Sequence, residues 1–401
     1  MNTHRTTEIS PADARAALRA ACADPYASAR AARAAGRKVV GYISHSVPVE
    51  LIEAAGCFPV MLSGDPTQPT ELADRFLDDD FDGATRSLLQ QLLAGQCDFL
   101  DLLIVPRASN ELLHLYYFLL EIARIEPSLP VPRVELFDVL NTPFHSTGVY
   151  LQGRITALAA TLASLADAPG RPASDGAESA AALDAAALRA AVSSSNATRR
   201  RLQTLNALRR QSEPCFSGSD MLLAIRAGGA MDLATHAGLL DALAGAAPEP
   251  AVAPQGPRLM IKGAAHDNTA FYDLVEAQGA AIVADDHFSG ERVFEKMISE
   301  DADPVTALAE HYQLNVPTIR SYPQARQDQR FEELLEEAKV QGVIILHDEF
   351  DDTMGWDWPA QKRILEDRGI PYVMLDRQSY HRPDREAQQA AVANLIARIA
   401  K

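Results

Sequence analysis

Short apolar runs alternate with stretches of helical character at both ends of this 401-residue chain, and this alternation constrains the fold more than any other feature. In the first part of the chain the apolar runs lie at 38–43, 58–62, 100–105 and 134–139. Continuously apolar strands are typical of parallel sheets covered by helices on both faces. Residues 1–150 are therefore predicted to form one α/β domain. The domain is predicted to open with a single amphipathic helix over 11–36, which starts near a Pro and stops at a Gly.

The same alternation returns after a Pro-rich stretch at 248–257. Its apolar runs lie at 258–263, 280–285, 342–346 and 372–375. Residues 256–401 are therefore predicted to form a second α/β domain. The Ala-rich segment 151–255, with a solvated loop at 168–178, is predicted to be a helical connector. The expected architecture is two doubly wound, Rossmann- or flavodoxin-like parallel-sheet domains joined by helices, with a cleft between them.

Charge and composition exclude several classes of protein. The net charge of −17 repels nucleic-acid phosphates, and the run Arg199-Arg200-Arg201 lies within a predicted helix. No stretch approaches the ~20 apolar residues of a membrane span, so a cytoplasmic location is expected. The cysteines lie far apart with no metal-site spacing, which predicts free thiols in a reducing compartment; they are Cys22, Cys57, Cys97 and Cys215.

The loop after the first predicted strand carries residues suited to acid–base chemistry. Ligands of open α/β sheets collect beyond the carboxyl ends of the strands. There, Ser44, His45 and Ser46 precede Glu50, which lies one turn into the next helix. A His beside hydroxyls and a carboxylate could transfer protons near neutral pH. Alternatively, Ser46 simply caps the helix opened by Pro48.

Polar loops follow three other predicted strands. Arg107, Ser109 and Asn110 follow the third strand, and two acidic clusters lie at 285–286 and 348–352. Such carboxylates could bind a hard cation, or they could be solvated loops and helix caps. The chain has no phosphate loop, no dinucleotide fingerprint, no nucleophile elbow and no H-E-x-x-H motif.

At these loops the chain resembles the D-component family of 2-hydroxyglutaryl-CoA dehydratase, which includes the cluster-bearing subunits of benzoyl-CoA reductase. Residues 40–60 resemble the family's G-Y-x-x-x-x-V-P-E-E-L-I-x-A-A-G-x-x-P-V opening, and 97–106 its D-F-L-D-x-x-V-x-P strand. Residues 196–220 resemble its N-x-x-R and S-G-x-E elements, 284–292 its D-D-x-x-x-G-x-R segment, and 342–371 its G-V-I and G-I-P segments.

This resemblance implies two related subunits, each with a four-iron cluster between two α/β domains, and an ATP-hydrolysing activator that delivers an electron. The implied reaction is dehydration of a 2-hydroxyacyl-CoA or reduction of an aromatic ring. Where the family has cluster cysteines in its C-P-x-x-R-S, P-x-T-C-D and F-C-D segments, however, this chain has Asp82, Ser109 and Asp351. Because iron–sulfur clusters require thiolates, with His as an occasional substitute, no cofactor and no metal are predicted.

The leading hypothesis is a family-type subunit that binds an acyl-CoA, or a sister subunit or second copy of itself, without its own iron–sulfur cluster. One alternative is a non-redox acyl-CoA lyase or hydrolase that acts through His45, Ser46, Glu50, Asp351 and Asp352. Another is a non-catalytic protein that binds a small molecule or a partner in its cleft. The absent cysteines disfavour an ordinary cluster-bearing subunit.

The polar loops are also expected to converge between the two domains. Ser109 and Asp351 are expected to lie within about 10 Å of each other, the span of a cluster with its ligands. Arg107 or a bound metal is expected to compensate the carboxylates there, because uncompensated carboxylates in one cavity would raise each other's pKa.

Overall fold

The computed structural model describes residues 9–167, 183–245, 254–316, 323–351 and 354–401. Within them the chain forms two four-stranded sheets in which every strand pair is parallel. Helices cover both sheets, which confirms the predicted pair of doubly wound α/β domains. No helix in the described ranges combines the length and the apolar character needed to cross a membrane.

The first sheet has the strand order β2-β1-β3-β4. Its strands are β1 (Val39–Ile43), β2 (Phe58–Leu62), β3 (Leu102–Pro106) and β4 (Val134–Phe137). The connecting helices are α3 (Val49–Ala54), α4 (Gly83–Leu93) and α5 (Asn110–Ile125). All five residues of β1 and of β3 are buried, as expected for the two central strands.

The predicted leading helix over 11–36 is wrong, because the structure has two helices there. They are α1 (Pro11–Ala23) and α2 (Ala27–Ala34). Pro25 lies in the break and cannot donate the backbone hydrogen bond that a continuous helix requires.

The connector is helical, as predicted. It contains α6 (His145–Asp167), α7 (Ala185–Arg209), α8 (Gly218–Ala227) and α9 (Leu233–Ala244). The loop predicted at 168–178 and much of the Pro-rich stretch at 248–257 lie outside the described residues.

The second sheet has the strand order β6-β5-β7-β8. When the strands of each sheet are numbered along the chain, this order is the same as that of the first sheet. Its strands are β5 (Arg258–Gly263), β6 (Ala281–Asp286), β7 (Gly342–Asp348) and β8 (Tyr372–Gln378). The helices that follow β5 along the chain are α10 (Ala270–Glu276), α11 (Pro304–Leu314), α12 (Gln324–Glu337), α13 (Trp358–Asp367) and α14 (Arg385–Ile399).

Packing crosses the segment boundaries predicted at 150 and 255. Helix α1 packs against α8 and α9, and their apolar side chains share one core. Helix α11, late in the chain, packs against α6 and buries Leu308 and Tyr312 in the core beneath the first sheet. The N-terminal helix α1 and the later helix α11 are therefore both tied to the helical connector by buried apolar contacts.

Candidate functional site

The loop after β1 is tightly folded around its two serines. Ser44 has a positive φ of 65°, and its hydroxyl donates to Ser46 Oγ at 3.3 Å and accepts from the Ser46 amide at 3.2 Å. Ser46 does not cap α3, because the cap position is Pro48 and makes no side-chain hydrogen bond. The capping alternative is therefore wrong.

His45, between these serines, is a neutral imidazole at physiological pH. The pKa of His45 is lowered to about 4, chiefly by burial and to a smaller extent by the positive charges of Arg226 and Arg199. Its Nε2 atom is shielded from solvent and has no hydrogen-bond partner in the described part of the chain. The imidazole therefore has one ring nitrogen available for a further hydrogen bond, as donor or acceptor according to its tautomer, and it is a weak base.

Glu50 lies in the protein interior and has three donors. Its Oε1 accepts from Ser195 at 2.6 Å and from Arg199 at 3.4 Å, and its Oε2 accepts from the Tyr312 hydroxyl at 2.7 Å. Burial opposes ionisation, but Arg199 and the hydroxyl donors outweigh it, so the pKa of Glu50 lies below its usual value. This carboxylate joins α3, α7 and α11, and its contacts are those of a structural ion pair.

Two of the three residues at the expected cysteine positions cap helices. Asp82 precedes α4, and its Oδ1 accepts from the Thr85 amide at 2.8 Å. Ser109 precedes α5, and its Oγ accepts from the Leu112 amide at 3.2 Å. Both side chains satisfy helix amides that would otherwise be unpaired. Asn110 is the exposed first residue of α5.

Carboxylates from three loops act on one another at the carboxyl ends of the strands. Burial, together with the charges of Asp82 and Asp351, raises the pKa of Asp348 to about 6. Burial also raises the pKa of Asp82, with contributions from Glu111 and Asp267. The pKa of each of these two carboxyls is therefore raised by its burial and by acidic residues of other segments. Asp352 lies outside the described residues.

Arg107 does not compensate these carboxylates as expected. Its Nη1 donates to Asp138 at 3.1 Å, and Asp138 also accepts from Tyr150. Asp138 follows β4, the strand that pairs with β3, so the guanidinium turns toward the edge of its own sheet.

A second polar network, around Asp285 and Arg209, lies in the interior of the C-terminal domain. Arg209 is fully buried and donates to Asp285 at 2.6 Å and to Glu291 at 3.4 Å. Asp285 also accepts from Tyr272, whose hydroxyl lies 2.6 Å from His287 Nε2. Burial lowers the pKa of His287, so this residue is neutral at physiological pH.

Arg226 and Tyr380 form a junction between the domains that no sequence motif indicates. Arg226 of α8 donates to Ser63 Oγ at 3.3 Å, after β2, and to the His266 carbonyl at 3.0 Å, after β5. Tyr380, after β8, donates to Asp267 at 2.7 Å. One arginine therefore bridges the loops of both sheets.

Two glycines in the N-terminal domain make room for Tyr380. A Cβ atom on Gly64 would lie 2.2 Å from the Tyr380 hydroxyl, and one on Gly83 would lie 2.4 Å from the Tyr380 Cβ. Gly83 immediately follows Asp82, so the aromatic side chain lies beside the first expected cysteine position. In the sequence, the two glycines are the only signal of this contact, and they do not indicate which side chain packs against them.

A cavity of about 790 Å³ lies beside this junction, and Tyr26, Ser63, Arg226, Asp267 and Arg385 are among the residues that line it. Pockets for small molecules commonly measure about 300–1,000 Å³. The cavity contacts both domains and is large enough for a substantial part of a cofactor-sized ligand.

Comparison with known proteins assigns this chain to a family. A model of the 2-hydroxyglutaryl-CoA dehydratase D-component family matches residues 45–396. The chain belongs to this family. The resemblance noted in the sequence is thereby confirmed.

Two relatives of this chain are named as enzyme subunits. One is a subunit of the benzoyl-CoA reductase of Thauera aromatica, which is 26% identical over 347 residues in an alignment that covers 84% of each chain. The other is the (R)-phenyllactyl-CoA dehydratase beta subunit of Clostridium sporogenes, which is 27% identical over 138 residues, covering 34% of this chain and 36% of the relative.

The residues present do not fit the iron–sulfur cluster that the family resemblance implies. Asp82 and Ser109 offer hard oxygen atoms already engaged as helix caps. The four cysteines are free, and burial raises the pKa of Cys57 to about 11 and that of Cys97 to about 12, which disfavours the thiolate form that binds iron. Across the described ranges, no group of three His, Cys, Asp or Glu side chains is arranged to hold a metal ion.

Proposed function

We propose that this chain is a cluster-free subunit of a 2-hydroxyacyl-CoA dehydratase or benzoyl-CoA reductase type of complex. It pairs with a sister subunit or a second copy and contributes a cleft that binds an acyl-CoA. The observation that carries the proposal is that Asp82 and Ser109, at positions where the resemblance implies cluster cysteines, cap helices within the two-domain fold of the family.

Sister-subunit binding is supported by the relatives, whose names describe them as subunits. The acyl-CoA proposal is supported by the 790 Å³ cavity between the two domains. Arg226, Arg385 and the Tyr380 hydroxyl supply polar groups at its wall, as expected of a pocket with a few fixed polar contacts.

Iron and sulfide analysis of anaerobically purified protein tests the absence of a cluster. We expect colourless protein with no stoichiometric iron. The visible absorption of thiolate-bound iron together with stoichiometric iron and sulfide would contradict the proposal.

A gain-of-function variant tests whether the three positions share one site. In the triple variant Asp82→Cys, Ser109→Cys and Asp351→Cys, we expect reconstitution with iron and sulfide to produce a bound cluster. The matched control converts only Asp82 and Ser109 and is expected to retain little iron. Equal and negligible iron in both variants, with both folded, would mean that the three residues do not surround a common site.

Binding and assembly are measured separately. Calorimetry with coenzyme A and an acyl-CoA tests the cleft, and sedimentation alone and with the sister subunit tests assembly. A chain that stays monomeric in both mixtures and binds neither ligand would overturn this part of the proposal.

The neutral His45 with its unpartnered Nε2 favours one second candidate, a non-redox acyl-CoA lyase or hydrolase. This function predicts release of free coenzyme A or loss of water from an acyl-CoA, abolished in His45→Ala. No turnover by the wild-type protein alone or with its sister subunit would remove it.

A further inference from the structure

A second cavity, of about 240 Å³, lies away from the Tyr380 junction. Its wall combines Asn141, which follows β4, with Gln313 at the end of α11 and with residues of α12. Asn141 is held in place by hydrogen bonds to the carbonyls of Tyr312 at 3.0 Å and Gln313 at 3.3 Å. Elements of both domains therefore form a fixed polar wall.

Charged residues around this cavity are predominantly basic, unlike the chain as a whole. The cationic side chains that line it are Arg292, Lys296, Arg326 and Arg330. Only Glu295 and Glu333 oppose them among the described lining residues. In a protein of net charge −17, four of the six charged residues described at this cavity are therefore cationic.

Ion pairing leaves part of this positive charge available. Arg292 is bonded to Asp286 and, through Nη1, to Gln327 at 2.5 Å. Arg330 donates through Nε to Glu295 at 2.8 Å. These bonds fix the direction of the two guanidinium groups while using only some of their donors.

Arg326 lies four residues before Arg330, so both occupy the same face of α12. Within the described ranges, the Arg326 guanidinium makes no ion pair and no side-chain hydrogen bond. Arg326 thus lies beside two arginines that keep spare N–H donors, and an anion placed among the three would supply the counterion that Arg326 lacks in the described residues.

We propose that this cavity binds a phosphoryl group. A phosphate monoester carries about −1.5 to −2 charges at pH 7 and several acceptor oxygens, so it can pair with Arg326 and accept from the spare donors of Arg292 and Arg330. Arginine forks bond the oxygens of a phosphate in pairs. The volume is below the roughly 300–1,000 Å³ of a pocket for a whole drug-sized ligand, so the cavity suits phosphate, pyrophosphate or the phosphorylated end of a larger molecule. The inference does not depend on the proposed function.

Calorimetric titration of the full chain with pyrophosphate at constant ionic strength tests the site. We expect saturable binding that becomes at least tenfold weaker in Arg326→Glu and weaker to a smaller extent in Arg326→Gln. Arg326 has no ion pair in the described structure to lose, so both variants are expected to fold. Arg124→Gln is the matched control: Arg124 is exposed on α5 and bonded to Glu121, and its loss changes the net charge by the same amount as Arg326→Gln but should leave the affinity unchanged.

Crystals soaked in tungstate locate the anion directly, and its anomalous peak is expected between Arg292, Arg326 and Arg330. Binding of pyrophosphate with wild-type affinity by Arg326→Glu, a tungstate peak elsewhere, or no binding by the wild type would overturn the proposal.

Comparing coenzyme A with 3′-dephospho-coenzyme A separates the two sources of phosphate. If the site holds the 3′-phosphate of a coenzyme, removing that phosphate and introducing Arg326→Glu should weaken binding by similar factors. If coenzyme affinity is unaffected by Arg326→Glu while pyrophosphate affinity falls, the ligand is a separate phosphorylated molecule. Failure of coenzyme A to bind anywhere would count against the proposed function and leave the pyrophosphate result intact.

Discussion

Replacing Glu50 by Gln tests whether this residue stabilises the fold or performs acid–base chemistry. The side chain of Glu50 is fully buried, and that of its partner Arg199 is 10% exposed. Gln has nearly the same shape, so the substitution removes the negative charge without creating a cavity.

The expected cost follows from the three donors around the carboxylate. Removing one partner of a buried ion pair lowers the free energy of unfolding by about 3–5 kcal/mol, because the remaining charge stays buried without its counterion. The amide oxygen of Gln can still accept from Tyr312 or Ser195, which retains about 1 kcal/mol. We therefore expect Glu50→Gln to lower the free energy of unfolding by about 3 kcal/mol, a large fraction of the ~5–15 kcal/mol typical of folded domains.

Guanidinium denaturation, followed by circular dichroism and by tryptophan fluorescence, measures this loss. Glu53→Gln is the matched control, since Glu53 lies on the same helix. Burial and the neighbouring charge of Glu50 raise the pKa of Glu53 to about 8, so this carboxyl is already largely neutral at pH 7. We expect the control to lose less than about 1 kcal/mol, as for a substitution that removes no charge.

A loss below about 1 kcal/mol in Glu50→Gln would refute the structural interpretation. So would a variant of normal stability whose acyl-CoA turnover has disappeared, because that combination belongs to a catalytic carboxylate. Equal losses in Glu50→Gln and Glu53→Gln would show that burial alone, and not the ion pair with Arg199, determines the cost.

Three further predictions concern stability. The pKa of His45 falls from 6.5 to about 4 on folding, so its contribution is present above pH 6.5 and is lost between pH 6.5 and 4, by up to about 3 kcal/mol; denaturation at pH 7 and pH 4.5 should show a smaller acid-induced loss in His45→Gln than in wild type. Gly83→Ala should cost about 1–3 kcal/mol by overpacking against Tyr380, and adding Tyr380→Ala should relieve that strain in thermal denaturation. Arg209→Met should cost about 3–5 kcal/mol because it leaves Asp285 buried and uncompensated, and a double variant with Asp285→Asn should recover part of the loss in a denaturant titration.

Elements with strong local signals could be predicted closely from the sequence. The predicted strands at 58–62 and 258–263 have the observed bounds. Continuous apolar runs favour buried strands, so local sequence decides these elements. The prediction of a single helix over 11–36 was wrong because it gave more weight to the helix-favouring Ala and Arg residues than to Pro25. The helix breaks between α1 and α2 at this proline.

Partners of the charged side chains could not be predicted in the same way. Arg107 was expected near Asp351, but it pairs with Asp138 because β4 lies beside β3 in the sheet. Glu50 follows the polar loop in sequence, yet the packing of α7 and α11 turns it into a buried ion pair. A loop sequence shows which groups are available, and the neighbouring elements decide which of them meet.

The sequence by itself determined the two α/β domains, the helical connector and the family, because each depends on residue type and local order. Only the tertiary structure decided that Arg226 and Tyr380 join the domains and that four cations line one small cavity. It also decided that α1 packs against α8 and α9, and α11 against α6. These contacts join residues tens to hundreds of positions apart. Their geometry depends on how helices and sheets pack, which no short stretch of sequence encodes.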